Sequence, residues 1–239
     1  MKKIFKNLIF SIFIVSIFSC DNSKKITINK ILDSPKFENA KLSVSEIKKE
    51  EDGYFFSFDI NDYELGKQTP KEFDYELANS SKGQHIHFII NNDPYSAHYN
   101  KNFRKDIKDG DILLAFLSRS YHESVKNSNA YILTEIGEKK QIDLTSEYIF
   151  YSRPKGKYIG EETKKILLDF YLVNTQISPN GNKVKVTIND SEFFIYEWTP
   201  YYIEGLPKGE ITIKLELLDS TGNLLDIPYN PSLRTILLE

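Results

Sequence analysis

The sequence predicts an all-β protein of two β-sandwich domains in tandem, preceded by an N-terminal export signal. Short segments dense in Phe, Tyr, Ile and Val recur along the chain, and each is bounded by Gly, Asn, Asp or Pro, as strands and turns are. No window shows the sustained 3.6-residue apolar period of an amphipathic helix. Six such segments precede a polar break at residues 137–140 and six follow it, so each half has the strands of one sandwich.

The N-terminus has the pattern of a bacterial lipoprotein signal peptide. Three lysines among the first six residues form a basic region, and residues 8–18 form an apolar run. This run is shorter than the roughly 20 residues that a membrane-spanning helix needs. It ends just before Cys20, which is the one cysteine of the chain. We therefore predict that residues 1–19 are a cleaved signal peptide and that Cys20 carries the lipid.

Lipidation at Cys20 predicts a protein of the bacterial cell envelope that is held to a membrane by acyl chains, and we expect the outer membrane. Cleavage removes three of the 31 basic residues and none of the 34 acidic ones, so the net charge changes from −3 to −6. Arginine, the residue best suited to phosphate recognition, occurs four times. An acidic, arginine-poor surface predicts no binding to nucleic acid.

The mature chain divides into a tether and two domains. Residues 20–35 are polar and turn-rich, so we interpret them as the lipidated cysteine and its tether, with a first edge strand as the alternative. Residues 36–140 form the first immunoglobulin-like sandwich and residues 141–239 the second. The predicted strands of the two domains are 41–49, 53–61, 84–92, 95–99, 110–118 and 130–136, followed by 147–152, 165–174, 182–190, 192–198, 209–219 and 232–238.

The two halves also resemble copies of one another, although two unrelated β domains of similar composition are the alternative. Residues 85–91 align their apolar positions with residues 183–189. This alignment has an offset of 98 residues, and an offset of 99 places Gly110 over Gly209 and Ile112 over Ile211. A duplication explains both matches.

Three of the four histidines lie in one strand-turn-strand segment, residues 84–99. Alternate residues of a strand point to opposite faces, so His85 and His87 share the face opposite the apolar Ile86 and Phe88. The second copy has Lys183 and Lys185 at the corresponding positions, and lysine is rarely buried without a partner. We therefore expect the histidine face to be exposed to solvent.

The other two histidines are predicted to join this face. A hairpin centred on Asn92-Asp93 would place His98 directly opposite His87, provided that the register does not slip by one residue. In immunoglobulin topology, the strand that carries His85 is antiparallel to the strand that ends near Ser118. His122 follows that strand, so all four imidazoles would meet at one end of the sheet.

The segments QHIHFIINNDPYSAHY (84–99) and SRSYHESVKN (118–127) resemble an uncharacterised family of exported bacterial lipoproteins with two Ig-like domains. That family carries a G-x-H-x-H strand, a Pro-Tyr turn and an S-R-x-[WY]-H-E-S segment. The resemblance extends into the second domain and covers most of the mature chain. It implies a functional surface composed of His85, His87, Arg119, Tyr121, His122 and Glu123.

These residues support two main hypotheses. The first is an anchored binding or adaptor module for a cell-envelope protein, peptide or glycan, since sandwich domains present ligands on a rigid scaffold. Its candidate ligand-binding residues are Arg119, Tyr121 and Glu123. The alternative is a module that binds Cu(II) or Zn, because neutral imidazoles are common ligands of both metals. Its candidate metal ligands are His85, His87, His98 and His122.

An enzyme is the third hypothesis and the one that the sequence supports least. The chain has no G-x-S-x-G elbow, no P-loop, no G-x-G-x-x-G and no catalytic cysteine, so no catalytic residues are assigned. A hydrolase based on paired carboxylates needs no local motif and stays open. The pair Ser-Arg occurs at residues 118–119 and 152–153, and we interpret it as ordinary surface sequence.

Overall fold

A computed structural model describes residues 25–138 and 141–239 of the chain. The predicted signal peptide and Cys20 lie outside these residues. Within them the chain forms sixteen β-strands and one short 3₁₀ turn at Gly160–Thr163, which confirms the all-β prediction. No helix of the described part is long and apolar enough to cross a membrane.

The first domain is a sandwich of three and four strands. The chain begins with β1 (Thr27–Lys30), which belongs to the second domain. The seven strands of the first domain are β2 (Lys41–Glu50), β3 (Gly53–Asn61), β4 (His85–Ile90), β5 (Ser96–His98), β6 (Asn102–Lys105), β7 (Ile112–Ser118) and β8 (Tyr131–Glu135). One sheet has the order β2-β3-β6 and the other β5-β4-β7-β8. This is an immunoglobulin-like arrangement, in which β4 is strand C and the antiparallel neighbour β7 is strand F, as predicted.

The second domain repeats this plan and adds a strand from the N-terminal segment. Its strands are β9 (Tyr148–Arg153), β10 (Gly156–Tyr158), β11 (Lys165–Val173), β12 (Lys183–Ile188), β13 (Ser191–Ile195), β14 (Tyr201–Glu204), β15 (Gly209–Leu218) and β16 (Ser232–Leu238). The sheets are β1-β14-β11-β9 and β10-β16-β15-β12-β13. The prediction that residues 27–30 belong to a tether is wrong, because β1 pairs with β14 along its whole length.

The backbone shows the same register in both domains. His85 pairs with Ser118 in the first domain, and Lys183 pairs with Leu218 in the second. Asn91 and Asn189 both adopt a φ of 49° at the end of strand C, and each side chain accepts a hydrogen bond from strand F. The donors are the backbone N–H groups of Ile112 and Thr212. Ile112 therefore corresponds to Thr212, one residue further along than the sequence alignment placed it.

Three large apolar clusters hold the molecule together. One fills the first sandwich and one fills the second. The third lies between the domains, where the outer face of β4 and β7 packs against the outer face of β9 and β11. Its fully buried members include Phe116, Tyr148, Phe150 and Tyr171. The second domain therefore covers the sheet face that bears the histidines.

Polar contacts also cross this junction. The Asn92 amide nitrogen donates to the Ser232 hydroxyl at 2.8 Å, and the Asn92 side-chain oxygen accepts from the backbone N–H of Tyr151 at 2.8 Å. The buried Asp169 carboxylate of β11 pairs with the Lys126 ammonium at 2.6 Å. These contacts satisfy polar groups that docking removes from water.

Candidate metal centre

His85 and His87 lie on β4 and are both fully buried. The prediction that their face is exposed is wrong, and the reason is the tandem arrangement. In the first domain this face packs against β9 of the second domain, whereas Lys183 and Lys185 of the second copy keep partial exposure. Corresponding residues of the two domains therefore point to the same face of the sheet, but that face is buried in the first domain and partly exposed in the second.

His122 comes from the tight turn that follows β7. The N–H of Arg119 donates to the carbonyl of Glu123, and the N–H of His122 donates to the carbonyl of Arg119. His122 closes this turn with a φ of 70°, a left-handed conformation that a residue with a Cβ adopts at a cost of roughly 1 kcal/mol. The second domain has the same turn after β15, with Gly222 at the corresponding position and a φ of 94°. A histidine thus occupies a position where the copy has the expected glycine.

His98 does not belong to the cluster. The tight turn after β4 has Asn91 and Asn92 at its centre, both with positive φ, and not Asn92 and Asp93. The strand register that follows pairs His98 with Ile86 and Ala97 with His87. His98 therefore points to the opposite face, where its ring stacks on Phe103 with centroids 3.5 Å apart. Its prediction as a fourth ligand is wrong by one residue of register.

The other three imidazoles meet as predicted. The Nε2 atom of His85 lies 3.0 Å from Nε2 of His87 and 3.1 Å from Nδ1 of His122. One nitrogen from each ring falls within 4.8 Å of the other two. In a tetrahedral site with Zn–N bonds of about 2.0–2.1 Å, ligand nitrogens are separated by about 3.3 Å. The two separations from His85 are close to this value, whereas the nitrogens of His87 and His122 lie within 4.8 Å of each other and must approach for one ion to contact all three rings.

The opposite nitrogens of two of these rings are held by hydrogen bonds. Nδ1–H of His85 donates to the carbonyl of Gly83 at 2.8 Å, which leaves Nε2 as the lone-pair nitrogen. Nδ1 of His87 lies 3.2 Å from the Ser152 hydroxyl of the second domain. Such partners orient the rings of metal-binding histidines, and the Gly83 carbonyl, which can only accept, also fixes the tautomer of His85. Ser118 adds a hydroxyl 3.1 Å from Nε2 of His87, so both Ser-Arg pairs contribute a buried serine to the site.

Tyr95 closes the site from the turn after β4. Its ring stacks on His87 with centroids 3.5 Å apart, and its hydroxyl lies 3.1 Å from Nδ1 of His122. From the sequence we assigned no role to Tyr95, Ser118 or Ser152, because their part in the site depends on packing between strands and domains.

Burial keeps the cluster uncharged. It lowers the pKa of His85 to about 4, although the hydrogen bond to Gly83 opposes the shift. The pKa of His87 lies well below its ordinary value because of burial, and the neighbouring His85 and His122 lower it further. Burial also lowers the pKa of His122, and the positive charge of Arg153 adds to the effect. Neutral rings offer lone pairs to a metal without first losing a proton.

Two cationic side chains of the second domain, Lys155 and Arg153, lie next to the ring of Tyr95. The Lys155 ammonium lies 3.7 Å from the centre of the Tyr95 ring and donates to the Tyr95 carbonyl at 2.6 Å. The Arg153 guanidinium lies 5.2 Å from the same ring and donates to the Tyr158 hydroxyl. Burial, followed by repulsion from Arg153, lowers the pKa of Lys155 to about 8. These two charges oppose a further cation, so a bound metal would favour an anion such as hydroxide in its remaining position.

Arg119, Tyr121 and Glu123 lie apart from the histidines and are buried rather than exposed. The Arg119 guanidinium pairs with the Glu123 carboxylate at 2.8 Å. Ser34 donates to that carboxylate at 2.5 Å and lies 3.0 Å from the Tyr121 hydroxyl. Burial raises the pKa of Glu123 even though Arg119 opposes the rise. These three residues hold the segment between β1 and β2 in place, and their exposure as a contact surface was predicted wrongly.

Comparison with known proteins identifies no family. No protein-family model matches the chain, and no curated protein matches it. Eight solved protein chains match it. One comes from the fibronectin(III)-like modules of CbhA from Clostridium thermocellum and is 12% identical, with a TM-score of 0.31. The match covers 90% of this chain and 94% of that chain.

Proposed function

We propose that this protein is a lipid-anchored module of the bacterial cell envelope that binds one transition-metal ion through His85, His87 and His122. The observation that carries the proposal is the meeting of three imidazole nitrogens from two elements of the first domain. Three neutral nitrogen ligands suit Zn(II) or Cu(II), and they leave a coordination position for water or hydroxide.

The position of His122 supports a role beyond packing. A turn that closes with a left-handed residue is most stable with glycine, which the second domain has at Gly222. Local strain of this kind persists where it serves a site. In the first domain the strained residue is the one that brings the third imidazole to the other two.

The burial of the histidine cluster favours metal binding over the adaptor hypothesis. A partner protein or glycan cannot contact His85 and His87, since the second domain covers them. A metal ion needs far less access than a macromolecule does.

The proposal is tested by titrating the metal-free protein with Zn(II) and Cu(II) in a calorimeter. We expect one equivalent to bind to the wild type, and roughly 100-fold weaker binding to His122→Gly. Glycine fits the turn, so this variant should keep its fold, which circular dichroism would check. His98→Gln is the matched control, because it removes an imidazole on the opposite face and should bind like the wild type. Equal binding by wild type and His122→Gly would refute the site.

A further inference from the structure

A cleft beside the domain junction forms a second candidate site, independent of the histidines. It has a volume of about 820 Å³ and is lined by both domains. The first domain contributes Ser128 and Tyr131, and the second contributes Tyr171, Gln176 and Trp198. A neighbouring cavity of about 560 Å³ shares Ser128 and Trp198 with the cleft but differs in charge, because Lys36, Arg119 and Lys126 also line it. Ligand sites commonly occupy such positions between domains.

Fixed aromatic rings line part of this cleft. The indole N–H of Trp198 donates to the carbonyl of Phe170 at 2.9 Å, which fixes the orientation of the half-buried ring. Trp198 meets Tyr171 edge to face, with centroids 5.0 Å apart and an interplanar angle of 84°. Tyr131 packs against Tyr171 at 5.3 Å. Rigid rings of this kind bind a flat apolar ligand face at little entropic cost.

Polar groups with unused hydrogen-bonding capacity surround these rings. Within the described part of the chain, the Gln176 amide and the Tyr131 hydroxyl make no hydrogen bond. The Asn182 amide nitrogen donates to one oxygen of Glu147, at 2.9 Å, and to the Thr175 hydroxyl, at 3.1 Å. This arrangement leaves the side-chain oxygen of Asn182 and the second carboxylate oxygen of Glu147 free to bind a ligand.

The charge of the cleft restricts the ligand further. Among the described residues that line it, Glu147 is the one charged side chain, and none is a lysine or an arginine. The lining of the cleft therefore lacks the cations that a phosphate, a sulfate or an acidic sugar would require. The Lys126 ammonium lies 5.8 Å from the centre of the Trp198 ring, but it is paired with the Asp169 carboxylate at 2.6 Å. A planar amide or carboxylate can bind two adjacent hydroxyl groups at once, while an aromatic ring packs against the C–H face of a sugar ring.

From these contacts we infer that the cleft binds a neutral oligosaccharide, with sugar rings packed on Trp198 and hydroxyl groups bound by Gln176, Tyr131, Asn182 and Glu147. This site does not depend on the metal centre. It gives the protein a contact with neutral glycan on a surface that was not identified from the sequence.

The test is a binding screen on the wild-type protein in the presence of a metal chelator. The probes are neutral gluco-, xylo-, manno- and chito-oligosaccharides, and the readout is the emission of Trp198, the one tryptophan of the chain. We expect at least one class to bind. Gln176→Ala and Tyr131→Phe should each weaken it roughly three- to tenfold, the effect of losing one hydrogen bond. Gln141→Ala, which removes an exposed amide elsewhere, is the matched control and should bind normally.

Two results would overturn the inference. One is that no probe class binds at concentrations up to about 10 mM, since a specific site would be at least half filled at that level. The other is that Gln176→Ala and Tyr131→Phe bind as tightly as Gln141→Ala. Displacement of a bound sugar by unstructured peptides at equal affinity would assign the cleft to peptides instead. None of these results affects the metal titration, because the chelator is present throughout.

Discussion

Acidification should destabilise the metal-free protein between about pH 6.5 and pH 4 because its histidines are buried uncharged. His85 has a pKa of about 4 in the folded protein, against an ordinary value of 6.5. Above pH 6.5 the ring is neutral in both states, and stability does not depend on it. Between pH 6.5 and pH 4 the unfolded chain binds a proton that the folded chain does not. The free energy of unfolding therefore decreases as the pH is lowered through this range.

The size of the effect follows from the shift. A full shift from 6.5 to about 4 corresponds to about 3 kcal/mol, and roughly 2.5 kcal/mol of this is lost between pH 7.5 and pH 4.5. His87, His98 and His122 add to the loss in the same direction. Glu123 works against it, because a raised carboxyl pKa favours the folded state on acidification. The contribution of His85 must therefore be measured against a matched variant.

His85→Gln provides that comparison, because glutamine still has an N–H to donate to Gly83 but cannot gain a charge. Urea unfolding of both proteins at pH 7.5 and pH 4.5, with chelator present, can be followed by the emission of Trp198. We expect the wild type to lose about 2.5 kcal/mol more than the variant over this interval. An equal loss in the two proteins would show that His85 is not held uncharged in the fold and would refute the reasoning.

Three further predictions concern the anchor and the junction. Cys20→Ser should move the protein from the membrane fraction to the soluble fraction, and unchanged fractionation would contradict lipidation. Asp169→Asn leaves the Lys126 ammonium without its buried partner and should lower the free energy of unfolding by about 3–5 kcal/mol; a loss below about 1 kcal/mol would mean that the pair contributes little. Residues 141–239 alone should melt cooperatively, because the second sandwich has its own core, but at a lower temperature than the whole chain, because β1 and the junction are lost. A fragment without a melting transition would mean that the halves share one core.

Apolar alternation was sufficient to predict the long strands, and the immunoglobulin plan to predict the position of His122. In the segment 54–60, buried aromatic residues alternate with more exposed ones, and the predicted strand matches β3. The pairing of strand C with strand F follows from the immunoglobulin plan. Because that plan places the start of β4 beside the end of β7, the meeting of His85 with His122 could be predicted from the sequence alone.

Short strands escaped prediction for a physical reason. β6 has four residues, NFRK, of which one is apolar. Such strands form because a neighbouring strand offers hydrogen bonds, and their own sequence carries little signal. β1, with the sequence TINK, is a strand for the same reason, since it completes the open edge of β14.

The errors at the site come from turn geometry and from docking. The residues Asn91, Asn92 and Asp93 all favour turns, so their sequence could not separate a turn centred on residues 91–92 from one centred on 92–93. The strand register that follows the turn decides the face of His98. Burial of His85 and His87 depends on which face of the first domain meets the second. The apolar periodicity of a single strand does not show which face will pack against another domain.

The central claim is tested most directly by X-ray absorption spectroscopy at the zinc edge, on protein loaded with one equivalent of Zn(II) and then dialysed. We expect zinc to be retained with three imidazole nitrogens at about 2.0–2.1 Å, and His122→Gly to lose one of them or the metal itself. Zinc that is removed by dialysis, or that is bound by oxygen ligands alone, would contradict a metal centre at His85, His87 and His122.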